Sequence, residues 1–183
     1  MKSRPFDPQR LDVAAFAGEG AQLEGRLPLR ALDRLTDAAH SDARPAESDA
    51  AEWNARGESR PVRGAAPRSW LHLRASARLL LVCQRCLGPV DAHLDVQRSF
   101  LFVRGEDMAA QLDTDSEDDV LALTRAFDLH ALVEDELLLA LPLVPRHEVC
   151  PEPLPMDRDE VPLEEPAHPF AALSALKRSG SAD

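Results

Sequence analysis

The sequence predicts an α+β fold, a mostly antiparallel sheet or partly closed barrel with a packed helix and a short C-terminal helix. Three observations lead there. Apolar and polar residues alternate from Trp70 to Cys83. A second alternation runs over residues 90–96, just after the punctuating pair Gly88-Pro89. Leu132, Glu136 and Leu139 recur at helical spacing. A period of two marks a strand with one buried face, and a period near 3.6 marks a helix.

Taken in order, residues 21–29 alternate weakly and predict a short strand, placed at an edge by Pro28. Leu29, Leu32 and Leu35 follow at helical spacing and predict one short helix over 29–39. Residues 40–68, rich in Ala, Arg, Asp, Ser and Pro, read as a long loop with a poor strand near Trp53. The long strand from Trp70 turns Leu71, Leu73, Ala75, Ala77, Leu79, Leu81 and Cys83 to one face, and His72, Arg74, Ser76 and Arg78 to the other. Val90, Ala92, Leu94 and Val96 return antiparallel to it, extended by residues 100–103. Residues 105–119 read as an acidic loop, and 120–123 as a short strand or turn. Asp128 is the expected N-cap of a helix over 129–140, which Pro142 and Pro145 stop.

This gives a single α+β domain over 1–150. Residues 151–183 then read as an acidic Pro-rich linker with a short amphipathic segment carrying Phe170, Leu173, Leu176 and Lys177. No apolar run reaches the roughly 18 residues of a membrane helix, and no apolar stretch follows the charged N-terminus. A cytoplasmic location without membrane contact is expected.

Net charge is −11 over 183 residues, unevenly placed. Residues 60–104 carry 8 Arg against Asp91 and Asp95, a net of +6, while residues 105–165 carry a net of −15. Either a basic segment meets an anionic partner, or the two segments neutralise each other across one fold. Arg74, Arg78, Arg85 and Arg98 are the candidate phosphate contacts, since arginine forks match phosphate oxygens. A solvated sheet face accounts for the same residues without a ligand.

Cys83-Gln84-Arg85-Cys86 falls where the hairpin turns, and His147 and Cys150 form a second pair about 60 residues on. Together they make a Cys3His set, whose soft thiolates suit zinc. Three readings stand: a structural zinc site, reduced thiols with Cys83 packed in the sheet, or a redox pair. The last conflicts with the hairpin setting, because redox C-x-x-C motifs open a helix.

Other chemistry is poorly supported. The acids around 113–119 have Asp118 where a calcium loop requires Gly. Glu134, Asp135 and Glu136 are consecutive on a helix and point apart, which argues against a paired-carboxylate nuclease. No Gly-rich phosphate loop and no G-x-S-x-G is present in the sequence. No enzyme activity is expected.

Three stretches together resemble a known family. They are Cys83-Gln84-Arg85-Cys86-Leu87 after a long strand, Val133-Glu134-Asp135-Glu136 running through Leu141-Pro142-Leu143-Val144-Pro145 to His147 and Cys150, and Pro169-Phe170 to Leu176-Lys177 near the end. Their order and spacing resemble the bacterial YceD family, the large ribosomal RNA subunit accumulation proteins, over about residues 70–178. The 40–68 region departs from that family's strand-rich pattern. The resemblance implies a non-catalytic role in synthesis, processing or stability of 23S ribosomal RNA. It carries over Cys83, Cys86, Glu134, Glu136, His147 and Cys150 as matching positions. The implied partners are 23S rRNA, its precursor or pre-ribosomal large-subunit particles. The competing reading is an adaptor docking on a basic ribosomal protein or a processing enzyme through Glu134, Glu136, Phe170, Leu173 and Lys177.

Overall fold

A computed structural model describes residues 6–151 except Asp115 and Glu117. The expected segment carrying Phe170, Leu173 and Lys177 lies outside the described residues.

The sheet has five strands in the order of the sequence: β1 (Gln22–Pro28), β2 (Ala50–Val62), β3 (Ala65–Val82), β4 (Pro89–Val103) and β5 (Asp119–Ala122). The first four form an antiparallel meander, and β5 runs parallel to β4. The sheet is open, with β1 and β5 as edges, so the barrel alternative is set aside. The parallel pair follows from its connection: β4 reaches β5 through a helix, α3 (Glu106–Asp113), rather than through a tight turn.

The alternating residues of β3 lie as expected, with Leu71 through Cys83 buried at every second position. Val90, Ala92 and Leu94 join them from β4. Three helices cover this face: α1 (Val13–Gly18), α2 (Asp33–Asp37) and α4 (Leu129–Leu139). Phe16, Leu35, Leu129, Val133 and Leu137 fill the space between them and the sheet. At one end of the opposite face, α3 closes a smaller cluster of Trp70, Leu101, Val103, Ala109 and Val120.

Several expectations need correction. The 40–68 loop is largely strand, because β2 occupies residues 50–62. Its buried positions are Ala51, Trp53, Ala55 and Gly57, a period-two pattern written mostly in small residues of weak strand preference. The close approach of α1 requires Gly57, since a Cβ there would lie 2.6 Å from the Phe16 carbonyl oxygen. The 29–39 helix is broken: a 3₁₀ turn (Leu29–Ala31) and α2 are separated at Leu32, whose backbone leaves the helical region at φ −105°, ψ 77°. Part of the acidic 105–119 loop is α3, whose Ala109 is buried in the smaller cluster. α1 gave no periodic signal, being only six residues long, but Asp12 caps it by accepting from the Ala15 amide at 3.0 Å.

Candidate metal centre

β3 ends at Val82 and delivers Cys83 to the hairpin tip. The tip is a tight knuckle. Cys83 N–H donates to the Gly88 carbonyl and Leu87 N–H to the Cys83 carbonyl, both at 2.9 Å, and Leu87 takes φ 61° to close the turn. α4 then stops, Pro142 and Pro145 prevent its continuation, and the following loop returns over the knuckle. Gln84 N–H donates to the Pro145 carbonyl at 2.8 Å and fixes that return.

The two pairs recognised in the sequence therefore meet. Cys83 Sγ lies 3.9 Å from Cys150 Sγ, and Cys86 Sγ lies 3.4 Å from His147 Nδ1. All four ligand atoms fall within 4.8 Å of one another. A tetrahedral zinc ion with Zn–S bonds of about 2.3 Å sets sulfur–sulfur edges near 3.8 Å. The Cys83–Cys150 separation matches such an edge. Nε2 of His147 faces the Pro89 carbonyl oxygen at 3.0 Å. A proton on Nε2 donated there leaves Nδ1 as the free lone pair, the outer-shell arrangement typical of a metal-bound imidazole.

The local field favours thiolate at Cys83. Burial opposes ionisation of Cys83, but the backbone N–H groups of Cys86, Arg85 and His147 outweigh it and bring the thiol down to about 5. The Gly88 amide draws Cys86 the same way. Burial and the neighbouring sulfurs of Cys150 and Cys83 nonetheless leave that thiol above its usual value. A divalent cation relieves this mutual repulsion.

The remaining candidate residues separate into different environments. Arg85 donates to Cys150 Sγ at 3.0 Å and to the His147 and Glu148 carbonyls at 3.0 and 3.1 Å, so it clamps the loop. Arg74 and Arg78 share the face opposite the main core, where Arg78 pairs with Asp91 at 2.7 Å. Arg98 does not share it. Its register partner is Leu73, and it turns toward α4, meeting Glu136 at 3.3 Å. The four arginines thus do not form one continuous stripe.

Glu134 and Glu136 are engaged inside the fold. Glu136 is 7% exposed, and burial pushes its carboxyl up against the opposing pull of Arg98. Glu134 accepts from the backbone N–H groups of Arg34 and Leu35 at 2.9 and 3.3 Å and from the Arg34 guanidinium. Because Leu32 gives α2 no side-chain cap, this distant carboxylate supplies one. Sequence reasoning missed this role, since its partner lies 100 residues away.

Fold and site define an α+β protein with a cysteine–histidine knuckle at a hairpin tip, able to hold a soft divalent metal. The family model described as large ribosomal RNA subunit accumulation protein YceD matches residues 71–177, more than half of the chain, and the chain belongs to that family. A curated relative from Haemophilus influenzae, named large ribosomal RNA subunit accumulation protein YceD, is 35% identical over 103 residues, 54% of this chain. The match spans 59% of that relative's length. No solved structure matches the chain. The matched region contains β4, β5, α3, α4, β3 from Leu71 onward, and all four residues of the knuckle.

Proposed function

We propose that the chain is a non-catalytic accessory factor in the synthesis, processing or stability of 23S rRNA, acting in the cytoplasm on that RNA, its precursor or large-subunit particles. The family match over residues 71–177 carries this reading. Among the described residues no helix is long and apolar enough to cross a membrane. In this reading Cys83, Cys86, His147 and Cys150 hold a structural zinc ion that fastens the loop after α4 to the hairpin tip. Four protein ligands leave no open position for water, which suits a structural site rather than a catalytic one.

The test is depletion of the protein in its own host, with 23S and 16S rRNA quantified from total RNA. A fall in 23S relative to 16S, restored by the wild-type gene, supports the role; an unchanged ratio refutes it.

A second reading is an adaptor that binds a basic ribosomal protein or a processing enzyme. It is favoured by the net of −15 over residues 105–165 and by the internal ion pairs of Arg78 and Arg98. Affinity purification from cells separates the two: RNase-resistant recovery of a basic protein supports the adaptor, and RNase-sensitive recovery of 23S fragments supports direct contact.

A further inference from the structure

The hairpin joining β2 to β3 reaches past the rest of the sheet. The register of β1 on β2 ends at Arg56, and that of β4 on β3 ends at Ser69. Beyond the Ser59–Ser69 pair the two strands pair only with each other among the described residues, as a ribbon closed by a turn at Arg63 and Gly64, where Gly64 takes φ 75°. Arg60, Arg63 and Arg68 are all exposed on it.

Arg60 and Arg68 are direct cross-strand partners. Like charges so placed repel, unless an anion sits between or beside them. Arg60 has its anion: Glu58 lies 2.8 Å from it, and its guanidinium stacks 4.4 Å from the Trp70 ring centroid. Glu58 is also in contact with Arg56 and His72, so it is saturated. Among the described residues, Asp118 is a further acid whose charge reaches Arg60. Arg63 and Arg68 take part in none of the ion pairs among the described residues. Arg74 lies further along the same face of β3 as Arg68.

The ribbon is poorly suited to recruit another strand. Pro61 and Pro67 each remove a backbone donor from a segment with no third strand. What it offers is side-chain charge. We infer that this ribbon is a contact site for the phosphate backbone of RNA, with Arg63 and Arg68 taking phosphate oxygens and Arg74 extending the track. Arginine forks make bidentate contacts with phosphate, and neutralised phosphates release bound cations. Arg63 and Arg68 lie before residue 71, outside the family match, and Arg74 falls within it. The inference rests on the 23S reading above and assigns that function to a surface.

The test uses the full chain and the double variant Arg63→Ala/Arg68→Ala, whose side chains are exposed and leave the core untouched. Binding of a fluorescein-labelled RNA stem-loop is followed by anisotropy across a salt series, with circular dichroism to verify folding. The wild type binds, and the slope of log affinity against log salt falls by about one per arginine removed. Equal affinity and slope in the variant overturns the inference. A wild-type chain that does not bind the stem-loop also overturns it, and an acidic protein lost from the variant in pull-downs then identifies the ribbon's partner. Variant cells are scored for 23S rRNA in parallel. Normal stem-loop binding by the variant, alongside a 23S defect on depletion, removes the ribbon assignment alone. No 23S defect on depletion removes the underlying reading.

Discussion

The sulfurs of Cys83 and Cys150 approach to 3.9 Å although 67 residues separate them in the chain. Nothing local brings them together. β3 carries one to the hairpin tip, the prolines after α4 turn the other back, and the Gln84–Pro145 hydrogen bond holds the return. Arg85 then ties the returning loop to the knuckle, contacting Cys150 Sγ and the carbonyls of His147 and Glu148.

Purified under reducing conditions, the chain is expected to carry stoichiometric zinc by inductively coupled plasma mass spectrometry. Cys150→Ser and His147→Ala lose the metal and melt at lower temperature, by about 2–4 °C for each kcal/mol lost in a chain of this size. A metal-free wild type whose melting is insensitive to chelator excludes a structural zinc.

Glu134 caps α2 from across the fold. Glu134→Ala removes that cap and is expected to cost about 1–2 kcal/mol in urea unfolding, the range for a lost helix cap. Glu134→Gln retains an acceptor oxygen for the two N–H groups and costs less. Equal stability of both variants and wild type contradicts the capping role.

Gly57 faces backbone atoms of α1, which cannot swing aside as a flexible side chain does. Gly57→Ala is expected to cost about 1–3 kcal/mol through overpacking. Gly18→Ala, with nothing within 4 Å of the added carbon, is close to neutral. Thermal melts of the two variants side by side check the contrast.

Hydrogen bonds from Arg60 and His72 hold the Glu58 carboxyl at about 2, below its ordinary 4.5. A depressed folded value means that the contribution is fully present above the ordinary value and is lost as pH falls through the folded one. The stability difference between wild type and Glu58→Gln is therefore largest above pH 4.5 and disappears toward pH 2. Denaturant titrations across that window measure it, and a difference independent of pH contradicts the assignment.

The centre of the sheet was legible because β3 and β4 write their burial in large aliphatic residues at strict alternation. The α4 N-cap was legible for the same local reason: Asp128 accepts from the Ala131 amide at 3.0 Å, as its position implied. β2 was obscured because its core face uses Ala and Gly, and because Pro61 and Pro67 punctuate the hairpin. In the candidate metal centre the spacing within each pair was visible, but the meeting of the pairs depends on tertiary contacts at long range. The placement of Arg98 was visible in principle. Val90, Ala92, Leu94 and Val96 already put position 98 on the core side, away from Arg74 and Arg78. The roles of Glu134 and Arg85 were not visible, since each is defined by a partner far away in the chain.

Ultraviolet crosslinking in living cells, followed by sequencing of RNA attached to the purified protein, tests direct contact with 23S rRNA. Reads concentrated at discrete sites of 23S rRNA or its precursor are expected, reduced when Arg63 and Arg68 are replaced by alanine. RNA at background, with ribosomal proteins recovered in its place, contradicts direct RNA contact and leaves the adaptor reading.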